Sequence, residues 1–215
     1  IVMFGVEQSL GWRIALLVPG FMMIAVAFLY WKFTQDSPQG NFKELRAQGI
    51  DTDSGKKGGW AVMAQASRNC RVWILAGTYG ACFGVEIFMH NILAMYYVEK
   101  FGFGLKEAGL TAGILGLLAL FARSLGGILS DKVAIRKGLD GRTRLLFIMI
   151  LGEGLFLILF SQMNVAHWAI LSMFVFALFI NMACGATYAM VPFIDREALG
   201  GVSGIIGAGG NAGAV

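Results

Sequence analysis

Residues Trp168–Ile194 read WAILSMFVFALFINMACGATYAMVPFI, 27 positions without a charged side chain. A helix crosses the hydrocarbon core of a bilayer with about 20 apolar residues, so this stretch alone is long enough to span. Outward from it the same signal recurs. Leu145–Ala166 carries one charge, Glu153, and Ala108–Ser130 carries one, Arg123. Val72–Val98 is interrupted by Glu86 and His90, while Ile14–Trp31 has no charge over 18 positions. Ala198–Val215 is apolar and glycine-rich but shorter. The pattern predicts an all-α membrane protein with five complete spans and part of a sixth. Ile1–Gly5 reads like the tail of an earlier span, so the chain is expected to be a stretch of a longer protein.

Composition agrees with that reading. The 215 residues are 57% hydrophobic and 14% charged, whereas soluble domains carry about 25% charged residues. Thirty glycines without a three-residue period suit closely packed membrane helices, in which small residues let backbones approach. Disorder and a secreted disulfide scaffold are excluded. Cys70, Cys82 and Cys184 are far apart and form no CxxC, so they read as packing thiols. No metal-ligand cluster or nucleophile–base spacing stands out, and both histidines are isolated. Neither a metal, a cofactor nor an enzymatic activity is expected.

The polar connections set orientation. Lys32–Arg71 holds seven basic residues against four acidic ones, and Asp131–Arg144 packs Lys132, Arg136, Lys137, Arg142 and Arg144 into 14 positions. Glu99–Glu107 is balanced, and Ser161–His167 has no Lys or Arg. Basic loops stay on the cytoplasmic side, which puts the first two inside and the other two outside. The net charge of +4 is therefore a topology signal, and no nucleic-acid partner is expected. The long hydrophilic stretch Asp36–Gly59 reads as a linker between two helix bundles, with a short helix at Asn41–Gln48. The expected organisation is the end of one bundle over residues 1–32, a cytoplasmic central loop over 33–71 and a second bundle over 72–215.

Polar residues inside the spans are costly unless paired or used. Arg123 lies eight residues before Asp131, about 12 Å along a helix, and so near the midplane. It either snorkels or forms a structural ion pair, or it faces a central cavity and binds an anion. Its planar fork of donors suits a planar oxyanion. Gly116, Ala119 and Gly127 share its face and leave room for a solute. On the preceding span Tyr79, Cys82, Glu86 and His90 make one polar stripe at helical spacing. Glu86 is either the structural partner of a buried base or a carboxyl that takes up and releases a proton. Tyr79 offers a hydroxyl to an anion or simply packs. Glu153 and Asn181 read as contacts that hold helices together. Finally, Gly200–Gly213 has seven glycines in fourteen residues, which makes a tight helix crossing and can also bring stripped backbone and Asn211 close to a small ligand.

These residues carry a resemblance. GGILSDK at Gly126–Lys132, followed by Arg136, Lys137, Arg142 and Arg144, resembles the loop signature of the major facilitator superfamily. IIGAGGNAGAV at Ile205–Val215 resembles the nitrate signature of its nitrate/nitrite porter family. FARSLGGILSD resembles the eighth helix of that family, and GWRIALLVPG with TQDSPQGN resembles its sixth helix and central loop. The resemblance covers the whole chain and is strongest to algal and plant high-affinity nitrate transporters. It implies the major facilitator fold, from the end of helix five to the middle of helix eleven of a twelve-helix transporter.

By the same resemblance Arg123 matches the nitrate-binding arginine of helix eight and Tyr79 a helix-seven tyrosine near the substrate. Gly209, Gly210 and Asn211 fall in the second copy of the signature, with Gly207 and Gly213. The first copy, and a partner arginine on helix two, would lie outside this chain. Asp131 and Arg136 would belong to the cytoplasmic gate, and Glu86 is the candidate for proton coupling. The function so implied is secondary active import of nitrate, and of nitrite, by alternating access with proton symport. The setting is a plasma membrane or a bacterial inner membrane; an accessory subunit is left open. The alternatives are a facilitator for another small anion and a non-transporting nitrate sensor on the same fold.

Overall fold

The structure, a computed structural model, describes residues 8–37, 40–49 and 59–215. The expected tail of an earlier span at Ile1–Gly5, and the linker residues 51–58, lie outside the described residues. The chain divides into two units, Ile1–Lys56 and Lys57–Val215.

In the first unit, α1 (Gln8–Phe33) carries the span expected at Ile14–Trp31. Leu16, Phe21, Met22, Met23, Phe28 and Phe33 are all exposed along it, a surface that suits hydrocarbon rather than water. The chain then turns, with Ser37 and Gly40 exchanging backbone hydrogen bonds of 3.1 and 3.0 Å and the Phe42 amide donating to Asp36 Oδ2 at 3.0 Å. The short helix expected near Asn41–Gln48 forms as α2 (Phe42–Ala47).

The second unit begins earlier than the sequence reading put it. Residues 59–67, assigned from sequence to the central loop, form α3 (Gly59–Ser67). Flanking GKKGG and RN obscure it, but WAVMAQAS is apolar and small enough to pack. Ala66 is fully buried, a Cβ on Gly201 would come within 2.7 Å of the Val62 carbonyl, and Gln65 Nε2 donates to Asp195 Oδ2 at 3.1 Å. α4 (Cys70–Phe101) follows, its start capped by Asn69, which accepts from the Arg71 amide at 3.0 Å. It stops at Gly102, whose φ of 67° is the left-handed conformation that ends helices on glycine.

A second correction concerns Asp131–Arg144, expected as a loop. Helix continues through it: α5 (Leu105–Gln162) is interrupted only at Gly138, with φ 60° and ψ −151°, a backbone region open almost solely to glycine. The chain reverses there. Arg142 Nη2 reaches Asp131 Oδ1 at 2.7 Å and Arg142 Nη1 reaches Ser130 Oγ at 3.1 Å, although eleven residues of straight helix would separate 131 and 142 by about 16 Å. α5 is therefore a helical hairpin whose arms, 105–137 and 139–162, carry the two expected spans, the second ending at Gln162 rather than at Ala166. α6 (Ala166–Met190) completes the next span and ends in a single 3-10 turn, Val191–Phe193. α7 (Leu199–Ala212) carries the glycine-rich segment.

Both arms of α5 pack on α6, and α7 packs on α4. Small residues decide where. Gly126 rests on the Met182 backbone and Gly185 on the backbone of Arg123, so the first arm of α5 and α6 touch main chain to main chain. Such contacts supply dispersion where lipid offers no hydrophobic drive between helices.

Candidate functional site

The α5–α6 contact brings Arg123 up against α6, and the polar stripe of α4 meets it from the other side. Glu86 is 3% exposed and receives two hydrogen bonds from Arg123 Nη2, 2.8 Å to Oε1 and 2.7 Å to Oε2. Arg123 Nε donates to Asn181 Oδ1 at 3.2 Å. Asn181 in turn is fixed by its own amide, which donates to the Ala177 carbonyl at 2.9 Å. The guanidinium also lies over the Phe83 ring, 5.3 Å from the centroid, a favourable cation–π arrangement. Nη1 has no hydrogen-bond partner among the described residues, and the arginine side chain stays 38% exposed. One edge of the fork is thus spent on a carboxylate and the other is open.

Around this pair the stripe is only partly buried. Tyr79, Cys82 and Glu86 are buried, whereas His90 is exposed with its Nε2 3.8 Å from Glu86 Oε1. Cys184 Sγ lies 3.7 Å from Glu86 Oε2. Tyr79 stacks on Phe83 at 5.1 Å and meets Tyr188 edge-on at 4.9 Å. Phe83 therefore joins the tyrosine to the arginine.

The glycines of α7 reach this group through the rings. A Cβ on Gly210 would fall 2.5 Å from two Tyr79 ring carbons, and one on Gly209 would fall 2.7 Å from the Ala76 carbonyl. Gly213 lies against the Gly80 backbone and Gly84 against Gly213. The tight crossing read from the sequence is real, and Gly209 and Gly213 are used up by it. Asn211 points elsewhere. It is exposed, and its amide donates to the Gly207 carbonyl of its own helix at 3.0 Å. None of its contacts is with Arg123.

At the opposite end of the first arm, the two gate candidates part company. Asp131 is bound by Arg142, whose guanidinium also lies over the Phe193 ring at 4.8 Å. Arg136 is exposed and lines a mostly apolar groove with Leu129, Val133, Ile135, Lys132 and Lys137. Sequence reasoning missed three contributors: Phe83, Cys184 and the role of Asn181 in aiming Arg123. Asn181 and Cys184 are i, i+3 on an otherwise apolar helix, which was the available signal. No group of three or more His, Cys, Asp or Glu with metal-binding geometry occurs among the described residues.

A sequence model of the Major Facilitator Superfamily matches residues 3–215. The chain belongs to that superfamily. It is a multi-pass, all-α integral membrane protein. Among curated relatives, "High affinity nitrate transporter 2.5" of Arabidopsis thaliana is 39% identical over 98% of this chain and 41% of its own length. "Nitrate transporter 2.1" of Chlamydomonas reinhardtii is 40% identical over 98% of this chain and 38% of its own. "Nitrate/nitrite transporter NrtP" of Nostoc punctiforme is 34% identical over 67% of this chain and 28% of its own. The major-facilitator chain thus spans about two fifths of the plant and algal relatives it matches. No solved structure matches it.

Proposed function

We propose that this chain is part of a secondary active transporter that imports nitrate, and nitrite, by alternating access coupled to protons. Its substrate class follows the nitrate transporters to which it is similar over 98% of its length. In this reading residues 1–32 end the N-terminal bundle, the central loop follows, and the helices from α4 onward belong to helices seven to eleven. Arg123 binds the anion, with Tyr79 and the Gly209–Gly210–Asn211 segment around it. Asp131 and Arg136 act at the cytoplasmic gate.

The observation that carries the mechanism is the Glu86–Arg123 pair, 2.7 Å apart and buried on the carboxylate side. Nitrate and the Glu86 carboxylate are both planar oxyanions seeking the same donors. An arriving nitrate weakens the hold of Arg123 on Glu86, and a proton on Glu86 does the same. Two ligands that break one ion pair bind cooperatively, because each removes a cost the other would meet. The proton neutralises Glu86, the fork turns to nitrate, and the site keeps its net charge. That linkage is what symport requires.

The test is uptake of labelled nitrate by the full-length transporter in proteoliposomes, with and without an imposed inward proton gradient. Acid outside should drive accumulation. Glu86→Gln should remove that drive while leaving nitrate exchange measurable. Uptake indifferent to the gradient in the wild type would remove proton coupling from this reading, and absence of nitrate uptake would remove the reading itself.

A further inference from the structure

The Glu86–Arg123 pair leaves a second carboxyl inside the membrane without a cation. Glu153, on the second arm of α5, is 6% exposed, and its Oε2 has no hydrogen-bond partner among the described residues. The ionisable groups that face it can be named from each packed element. From α4, the Cys82 thiol lies within reach of the carboxyl, with Glu86 one helical turn further on. From α6 comes Cys184, which also contacts Glu86. Arg123, on the first arm of α5, is joined to this group only through Glu86; its hydrogen bonds go to Glu86 and Asn181. None of these gives Glu153 a positive charge.

The cluster therefore holds two carboxyls and one guanidinium in an apolar interior, with the exposed His90 imidazole at its edge, 3.8 Å from Glu86. With Glu86 ionised, the pair is neutral. An ionised Glu153 would add an uncompensated buried charge, with an orphaned oxygen besides. A neutral carboxyl leaves the same oxygen unpartnered far more cheaply. The location also matters for an anion at Arg123. A negative Glu153 would repel it and compete for the one cation available.

We propose that Glu153 is a second proton-binding carboxyl of the transport site, protonated while Arg123 holds Glu86, and that anion binding at Arg123 requires it to keep that proton. Its ionisation releases one proton to water and leaves a carboxylate beside the site. The second clause rests on the anion-transport reading above; the first does not.

Two measurements on the purified full-length transporter test it. The first is the infrared carbonyl band of a protonated carboxylic acid at neutral pH. This band is expected in wild type, where Arg123 holds Glu86, and its Glu153 component disappears in Glu153→Gln. A spectrum unchanged by Glu153→Gln overturns the proposal. The second is nitrate binding across a rising pH series. Glu86→Gln should still lose affinity toward alkaline pH through Glu153, and Glu86→Gln with Glu153→Gln should lose that alkaline decline. A flat profile in Glu86→Gln alone overturns the requirement for the proton. Where Glu153→Gln does not reach the membrane, Glu153→Met, similar in size and unable to ionise, replaces it. If wild-type protein binds no nitrate, the transport reading falls, and the infrared band alone decides whether Glu153 holds a proton.

Discussion

Two contacts of α4 show opposite ways of holding helices together in a membrane. Toward α5 and α6 it presents Glu86, which meets Arg123 and, through it, Asn181. Toward α7 it presents Gly80 and Gly84, which meet Gly209 and Gly213 backbone to backbone. The first contact is charged, off the α-carbon and partly open, since Arg123 keeps one free edge. The second is backbone on backbone at Gly80, Gly84, Gly209 and Gly213, none of which has a side chain to rearrange. A charged contact can be broken and remade by a proton or an anion, whereas the glycine crossing has only a single packed form. One face of α4 is thus suited to switching and the other to acting as a fixed hinge or rail.

That contrast is broken most directly at Arg123. Arg123→Ala leaves Glu86 buried without its partner; cutting a fully buried pair costs about 3–5 kcal/mol, and less is lost here because the Arg123 side chain is 38% exposed. Nitrate uptake should fall to background. Arg123→Lys is the sharper test, because one ammonium cannot hold Glu86, reach Asn181 and still offer an open edge. It should fail nearly as badly in protein of equal membrane abundance. Near-normal uptake by the lysine variant would mean that point charge suffices and that the fork geometry is irrelevant.

The glycine crossing should break differently. A Cβ at Gly84 would run into the Gly213 backbone, and one at Gly80 would lie 2.8 Å from the Gly209 carbonyl. Overpacking costs about 1–3 kcal/mol, so Gly84→Ala and Gly80→Ala should lower membrane abundance or melting temperature. The pH dependence of whatever transport survives should be unchanged. A variant that inserts normally but loses its proton response would show that α7 belongs to the switch.

Much of this was legible in the residues, and the failures have physical causes. Charge-free runs locate the spans because the bilayer penalises every exception. Arg123 and Glu86 stood out for the same reason. Their pairing was one of two open readings, since helical spacing cannot say which neighbouring helix a stripe faces. The Asp131–Arg144 segment was misread because charge density marks where the membrane ends, whereas the helix ends only at Gly138. α3 was hidden by its flanking glycines and lysines. Asn181 looked like a plain contact between helices; that it aims a guanidinium depends on the α5–α6 crossing at Gly126 and Gly185, which no local pattern encodes.

Asn181 gives an intermediate effect. Asn181→Ala removes one acceptor from Arg123 Nε and leaves the Glu86 contact in place. A hydrogen bond to a charged group contributes about 1.5–3 kcal/mol, so nitrate affinity should weaken by one to two orders of magnitude, by about tenfold or more. Asn181→Asp should instead add a second carboxylate to the arginine and suppress nitrate binding further. An alanine variant with unchanged affinity would assign Asn181 to helix packing alone.

The smallest effect, and the one that sharpens the comparison most, is expected at Asn211. It sits on the same helix as the packed glycines but faces away from the crossing, exposed, with its amide on the Gly207 carbonyl. Removing that amide cannot disturb the Gly80–Gly209 contact, so Asn211→Ala should leave membrane abundance intact. If the glycine-rich segment also lines the anion path, the amide supplies one solvent-exposed hydrogen bond to nitrate, screened by water. Such a bond contributes about 0.5–1.5 kcal/mol, which corresponds to a rise in KM for nitrate of about twofold to tenfold. The same variant should keep its response to a proton gradient, because neither Glu86 nor Glu153 is touched. Normal KM in well-inserted Asn211→Ala protein would confine α7 to its packing role and remove Asn211 from the substrate site. A raised KM with normal abundance would show that one helix performs both tasks on different faces.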